Sequence, residues 1–309
     1  MKKRQIIMVG FMQAQNCSNY PASWRHVESS TDFMTPQYYR RIARALEDGK
    51  FHFGFFDDRL ALPDIFASDH SVALKHGIRV VKMDPIPILA TMAMHTKHLG
   101  LAATLSTTYY GPYHIARTMM TLDHMCAGRA GWNVVTSLND SEARNMGATE
   151  TIQHDRRYDR ADDMMKSVID MWNAWQPDAI VCDKQTGLFA DPAKVKRTEH
   201  IGDWFQTSGT FTVPPSPQGH PVIIQAGQSG RGKTFAAEWG EVIFTIQNDM
   251  QQAKRVREEM RAEAEQVGRD PDTLAIAPAF YITVGETQSI AEDKYAYIDN
   301  LAKPEDALV

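Results

Sequence analysis

Short apolar segments alternate along the chain with longer segments of helical periodicity. Several of the apolar segments lack strict polar alternation, which is typical of parallel strands covered on both faces. The seven predicted strands are 6–11, 51–56, 99–106, 130–136, 221–226, 241–245 and 274–284. Alternation of strands and helices predicts an α/β fold, and seven strands in this length favour a TIM (β/α)8 barrel over an open sheet.

The segments between the strands carry helix signals. Segment 36–46 opens with proline and has apolar residues at helical spacing. Asp155 is predicted to be the N-cap of a long helix, in which apolar residues recur at three- and four-residue steps from 158 to 175. Segment 251–267 predicts a charged amphipathic helix.

One stretch and one missing strand depart from this pattern. Segment 176–219 is rich in Pro, Gly and Asp, and we expect an insertion there between strands four and five. No eighth strand is visible before residue 309. We therefore expect 1–309 to form a single barrel domain that lacks its eighth strand through C-terminal truncation.

Composition and charge narrow the function classes. With 43% apolar and 23% charged residues the chain has ordinary globular composition, and a net charge of −5 gives no general attraction to nucleic acid or anionic membranes. No apolar segment has the length of a membrane span, and the N-terminus lacks a secretory cleavage pattern. Three widely spaced cysteines fit reduced thiols. We expect a cytoplasmic protein without nucleic-acid or membrane partners.

Polar residues follow four predicted strands, at the end where TIM barrels carry their active sites. Each such residue alone is ordinary, because polar residues end most strands. Together they predict a site at one barrel mouth. The segments are 57–58, 104–108, 132–137 and 227–232.

Segment 227–234 reads Gly-Gln-Ser-Gly-Arg-Gly-Lys-Thr between a strand and a helix. A glycine-rich turn at a helix N-terminus suits a phosphate, because backbone N–H groups and the helix dipole favour an anion there. The segment also fits the P-loop pattern, which leaves a nucleotide hydrolase open. Against that, four strands precede this one, and no Asp directly ends the following strand. A turn that binds nothing is the third alternative.

Histidines supply the other candidates. His154 and Tyr158 stand four residues apart near a predicted helix start and can face one ligand, although a capping sequence would look the same. His26, in the loop after the first strand, is an acid/base candidate or a solvated side chain. The histidines show no ligand spacing typical of a metal site, and none is expected.

Taken together, these segments resemble the flavin-dependent monooxygenases of the bacterial luciferase-like superfamily. The group of nitrilotriacetate, dibenzothiophene-sulfone and long-chain alkane monooxygenases is the most similar. The resemblance covers nearly the whole chain in order. It is carried by 24–26, 49–58, 103–109, 122–124, 128–137, 154–159 and 216–232.

The resemblance implies a luciferase-like TIM barrel and a set of flavin contacts. FMN would be bound by Asp58, Thr104, His154, Tyr158, Ser229 and Gly230, with Ser229 and Gly230 at the phosphate. The P-loop match at Lys233-Thr234 would then be a chance completion of the pattern.

The implied function is a two-component monooxygenase that uses reduced FMN and dioxygen to oxygenate a small organic substrate. No G-x-G-x-x-G fingerprint follows a strand, so a separate NAD(P)H-dependent flavin reductase would supply the reduced FMN. His26, Trp132 and Asn133 are expected to line the reaction space, and a homo-oligomer is expected. Two alternatives are a deazaflavin-dependent oxidoreductase on the same barrel and a non-catalytic flavin-binding fragment.

Overall fold

The computed structural model describes residues 6–228 and 230–309. Its strands are β1 Val9–Gln13, β2 Phe53–Asp57, β3 Gly100–Ser106, β4 Ala130–Val135, β5 Ile180–Asp183, β6 Leu188–Ala190, β7 Thr198–Ile201, β8 Gln206–Gly209, β9 Val222–Gln225, β10 Val242–Thr245 and β11 Ala275–Pro278. Seven of them form one parallel sheet in the order β1-β2-β3-β4-β9-β10-β11. All seven predicted strands are therefore confirmed. The last is shorter than the predicted 274–284.

Each strand of this sheet is followed along the chain by one or two helices. They are α1 Pro36–Asp48, α2 Ser71–His76, α3 Pro85–Ala93, α4 Pro112–Met125, α5 Asp140–Asn145, α6 His154–Trp172, α7 Gly230–Trp239, α8 Met250–Gln266 and α9 Gln288–Asp299. Helix α1 begins where the Thr35 side chain accepts the N–H of Tyr38. The N-cap of α6 is Gln153, so the prediction of Asp155 as the cap is wrong. Asp155 lies in the first turn, where its negative charge interacts favourably with the helix dipole.

Strand alternation divides the core into two layers. Outward-facing side chains of the sheet, such as Phe56, Leu101 and Trp132, pack in a large buried cluster with the helices. A smaller cluster on the inner face is built around Phe55, Ala102 and Ile224. Neighbouring residues on a strand therefore belong to different layers.

The curled sheet is open on one side within the described residues. There β1 pairs only with β2, and β11 pairs only with β10. A cavity of 1610 Å³ lies along this opening, and Phe11, Phe244 and Phe280 are among its lining residues. The parallel sheet has the TIM-barrel arrangement expected from the sequence.

Segment 176–219 contains two antiparallel hairpins, β5–β6 and β7–β8. The second hairpin is fixed to α6 by one buried carboxylate. Asp163 accepts the N–H groups of Trp204 at 2.7 Å and Phe205 at 2.9 Å, and its Oδ1 lies 2.5 Å from His200 Nε2. Gly202 is needed beside it, since a Cβ there would overlap the Asp163 carboxylate.

Candidate active site

Polar side chains near the carboxyl ends of β3 and β4 form a buried hydrogen-bonded pair. Thr104 and Asn133 are register partners on the two strands. Asn133 Nδ2 donates to Thr104 Oγ1 at 2.8 Å, and Thr104 Oγ1 donates to the carbonyl of Phe56 at 2.8 Å. Asn133 Oδ1 is buried and has no partner among the described residues. A buried acceptor without a donor lowers the stability of the folded protein, so a hydrogen bond from a ligand N–H to this atom would be favourable.

Two adjacent carboxyl groups follow β2, and their surroundings differ. Asp57 is paired with Lys82 Nζ at 2.6 Å and accepts from Gln13 Nε2 at 3.0 Å. Burial raises the pKa of Asp58 to about 7, against the opposing effects of the Lys82 charge and the Arg59 N–H. Asp58 can therefore donate or accept a hydrogen bond near neutral pH.

The start of α7 carries the predicted phosphate turn. Gly230 is already the first helical residue, so the glycine-rich loop is shorter than the sequence predicted. Apart from its chain neighbours, no described residue lies within 4 Å of the place where a Gly230 Cβ would stand. The helix N-terminus is thus sterically accessible to an anion. Ser229, the other predicted phosphate contact, lies outside the described residues.

The directions of the Lys233 and Thr234 side chains contradict the P-loop interpretation of this segment. Lys233 Nζ lies 2.5 Å from Glu259 Oε2, and Thr234 Oγ1 donates to Glu263 Oε1 at 2.6 Å. Both carboxylates belong to α8. A P-loop lysine must instead reach the phosphates of the nucleotide. The match to the P-loop pattern is therefore coincidental.

His154 and Tyr158 lie together, and the Tyr158 ring contacts α7. Their rings meet edge to face with centroids 5.2 Å apart, and the Tyr158 ring packs on Phe235 of α7 at 5.6 Å. His154 Nδ1 lies 2.7 Å from Asp155 Oδ1. The structure thus brings this predicted pair to the helix whose N-terminus includes Gly230.

Two residues that were expected to line the reaction space, Trp132 and His26, contact other parts of the protein. Trp132 is fully buried, donates from Nε1 to the carbonyl of Leu105 at 3.1 Å, and meets Trp172 of α6 at 6.2 Å. It lies in the layer between sheet and helices because it alternates with Asn133. The His26 ring contacts Tyr297 of α9 at 5.1 Å, and its Nδ1 accepts the N–H of Glu28.

Sequence reasoning missed Gln13 and Lys82, which hold Asp57. Gln13 ends β1 as Asp57 ends β2, so its position on the strand was a usable signal. Lys82 approaches from a loop, and nothing in the sequence pattern links it to β2. Within 6–228 and 230–309, no group of three or more His, Cys, Asp or Glu side chains is placed to hold a metal ion.

Comparison with known proteins decides the family. The family model for luciferase-like monooxygenases matches residues 14–308. The dibenzothiophene-sulfone monooxygenase of Rhodococcus erythropolis is 45% identical over 306 residues, which are 98% of this chain and 67% of that protein. This chain belongs to the luciferase-like monooxygenase family. The resemblance and the enzyme class inferred from the sequence are thereby confirmed.

Solved structures of the family agree with the fold. A long-chain alkane monooxygenase superposes with a TM-score of 0.96 at 33% identity, covering 99% of this chain and 71% of that one. A riboflavin lyase solved with modified FMN and riboflavin gives 0.94 at 36% identity, covering 98% and 68%. The chain spans about two thirds of the length of the curated relatives that it matches. In the described part of the chain no helix is long and apolar enough to cross a membrane.

Proposed function

We propose that this chain is the oxygenase component of a two-component system, using reduced FMN and dioxygen to oxygenate a small organic substrate. The observation that carries the proposal is Asn133 Oδ1, a buried acceptor without a donor among the described residues, near the carboxyl end of β4 in a luciferase-like sheet. The ring N–H of a flavin is a donor of the kind that this atom lacks.

The remaining polar groups are distributed as FMN requires. Asn133, Thr104 and Asp58 would hold the ring at the ends of β2 to β4. Gly230 and the adjoining Ser229 would hold the phosphate, with His154 and Tyr158 beside the same helix. The donor set therefore fits an aromatic heterocycle on one side and an anion on the other.

Bound reduced FMN supplies the electrons for dioxygen activation, in which one oxygen atom reaches the substrate and the other leaves as water. The chain must orient the ring and keep water from it. Asp58 holds or releases a proton at its carboxyl group near neutral pH. Trp132, buried behind Asn133, would fix the strand rather than touch the ligand. His26 would affect the site only indirectly, through its ring contact with Tyr297 of α9.

The partner of this site is an NAD(P)H-dependent flavin reductase, because the chain carries no dinucleotide fingerprint after a strand. Cytoplasmic location and homo-oligomerisation stay predictions.

The test separates flavin use from its alternatives. FMN and a deazaflavin are titrated into the protein, with flavin fluorescence as the readout. The protein is then incubated with a flavin reductase, NADH and ¹⁸O₂ over a screen of sulfones, aminopolycarboxylates and alkanes. We expect FMN binding and one ¹⁸O atom in a product. Preference for the deazaflavin would replace this proposal by the oxidoreductase alternative, and FMN binding without any labelled product would support the non-catalytic one.

A further inference from the structure

A small polar cavity of 80 Å³ lies at the strand-end face beside β1 and β2. Three cationic side chains line it, Arg59, Arg79 and Lys82, against the single lining carboxylate of Asp57. A water molecule occupies about 30 Å³ in the liquid, so the cavity has room for a group the size of a carboxylate or a sulfonate. The cavity lies on the β1–β2 side of the sheet, whereas the proposed phosphate turn follows β9.

Among the described residues that line this cavity, cationic side chains outnumber carboxylates. Lys82 neutralises Asp57 at 2.6 Å, and Gln13 Nε2 occupies the second oxygen of that carboxylate. Neither Arg59 nor Arg79 makes an ion pair in the described part of the chain, and Arg79 Nε is buried without a hydrogen-bond partner. A guanidinium with a buried, unpaired N–H is stabilised by an anion with oxygen acceptors.

Arg79 is also held in place before any ligand arrives. Its backbone has φ +53°, a left-handed conformation that is unfavourable for a non-glycine residue and persists only where the surroundings fix it. The loop is tied to the segment after β1, because Asn16 Nδ2 donates to the Gly77 carbonyl at 2.6 Å and the Arg79 N–H donates to Cys17 Sγ at 3.4 Å.

The polar cavity adjoins the large apolar one, since Gln13, Gln15 and Asn19 line both. An apolar body could lie against Phe11 and Phe244 while an attached anionic group reaches the arginines. We propose that the polar cavity binds the anionic group of the substrate, and that the substrate class is an organic acid with an apolar body and a carboxylate or oxo-sulfur acid group. The statement that the bound anion belongs to a substrate rests on the proposed function, whereas the anion site itself rests on the cavity.

The test compares probes that differ in charge and share a body. Benzoate and benzamide form one pair, and benzenesulfonate and benzenesulfonamide form the other, each titrated calorimetrically into flavin-free protein. We expect at least one anion to bind more tightly than its amide, by a factor of about ten or more. The two pairs distinguish recognition of a carboxylate from recognition of a sulfonate. Arg79→Gln should weaken binding of that anion about tenfold or more and leave the amide unchanged.

Matched variants separate charge at the site from charge in general. Lys50→Gln removes a cation from an exposed residue that also has positive φ, at +60°, and should leave anion binding unchanged. Arg59→Gln is the second site variant and should act as Arg79→Gln does, which keeps the test decisive if one variant fails to fold.

Three results would overturn the inference. Equal affinity for anions and amides would do so, as would weakening by Lys50→Gln equal to that by the site variants. The third is loss of FMN affinity in Arg79→Gln with benzoate binding unaltered, which would assign the cavity to the flavin. FMN is titrated separately, so a protein that discriminates the anions but binds no FMN would refute the proposed function and leave the anion site standing.

Discussion

Asp58 shows what burial does to a single carboxyl group at the strand ends. Its pKa is raised from 3.8 to about 7 by desolvation, which the nearby Lys82 charge only partly offsets. A raised pKa means that the folded state holds the proton more tightly than the unfolded state. The stability from this group is complete below about pH 4 and is lost as pH rises through about 7.

We predict that Asp58→Asn removes this dependence. The variant should gain stability over the wild type progressively between pH 4 and pH 7, by up to about 4 kcal/mol, and keep that gain above pH 7. Urea denaturation across pH 4 to 8 measures the difference. Asp170→Asn changes the same charge at an exposed position of α6 and serves as the control. A constant difference between Asp58→Asn and wild type would show that the buried proton is absent.

We expect Asn133 to lower the stability of the flavin-free protein and to raise its affinity for FMN. Asn133→Leu removes a buried oxygen that has no partner, and Thr104 keeps its bond to the Phe56 carbonyl. We predict that the free energy of unfolding without flavin is unchanged or higher, whereas FMN affinity falls about tenfold through loss of one acceptor. Denaturation and flavin fluorescence titration give the two values. A large loss of stability without flavin would mean that Asn133 is a packing residue.

Strand position made some candidate residues predictable and hid others. Asp58, Thr104 and Asn133 were predicted because they follow apolar strands or lie near their ends, and their role in binding stays a prediction. Trp132 was placed at the reaction space because the sequence does not reveal on which side of a fully buried strand each residue falls. Arg79 and Lys82 depend on where a long loop returns to β1, as the Gln15–Lys82 bridge shows, and no local pattern carries that information.

At the scale of elements, the hairpin β7–β8 depends on one glycine. Gly202→Ala would push a methyl group into the Asp163 carboxylate, which holds the hairpin to α6. We predict a loss of about 1–3 kcal/mol in unfolding free energy and faster proteolysis within 198–209. Gly111→Ala, where nothing lies near the added methyl group, should cost about 0.5 kcal/mol. Equal effects of the two substitutions would contradict the role of Asp163.

Element types were predictable where periodicity was strong, and their ends were less so. Helix α8 was expected at 251–267 and runs from Met250 to Gln266, with the Asp249 side chain capping it. Helix α7 begins earlier than expected, because Gly230 and Gly232 adopt helical conformation when α6 and α8 pack on either side. Glycine propensity favoured a loop there, and tertiary packing outweighed it.

At the scale of the whole molecule, the opening between β1 and β11 exposes the inside of the sheet. Phe280 and Ile282, just after β11, are 71% and 81% exposed, and both line the large cavity. Water can enter an opening of this kind. An oxygenase must keep water from its activated flavin, because otherwise the oxygen leaves as hydrogen peroxide.

We therefore predict that this chain is poorly coupled as an oxygenase. In a single turnover, chemically reduced FMN is bound to excess protein, so that little free flavin remains, and is mixed with dioxygen and the substrate found in the ¹⁸O screen. Most of the oxygen consumed should appear as hydrogen peroxide and a minor part as oxygenated product. Reduced FMN alone gives the peroxide yield of free flavin as the control. Product equal to the oxygen consumed would show that the side between β1 and β11 is closed to water during turnover, despite the unpaired edges of the sheet.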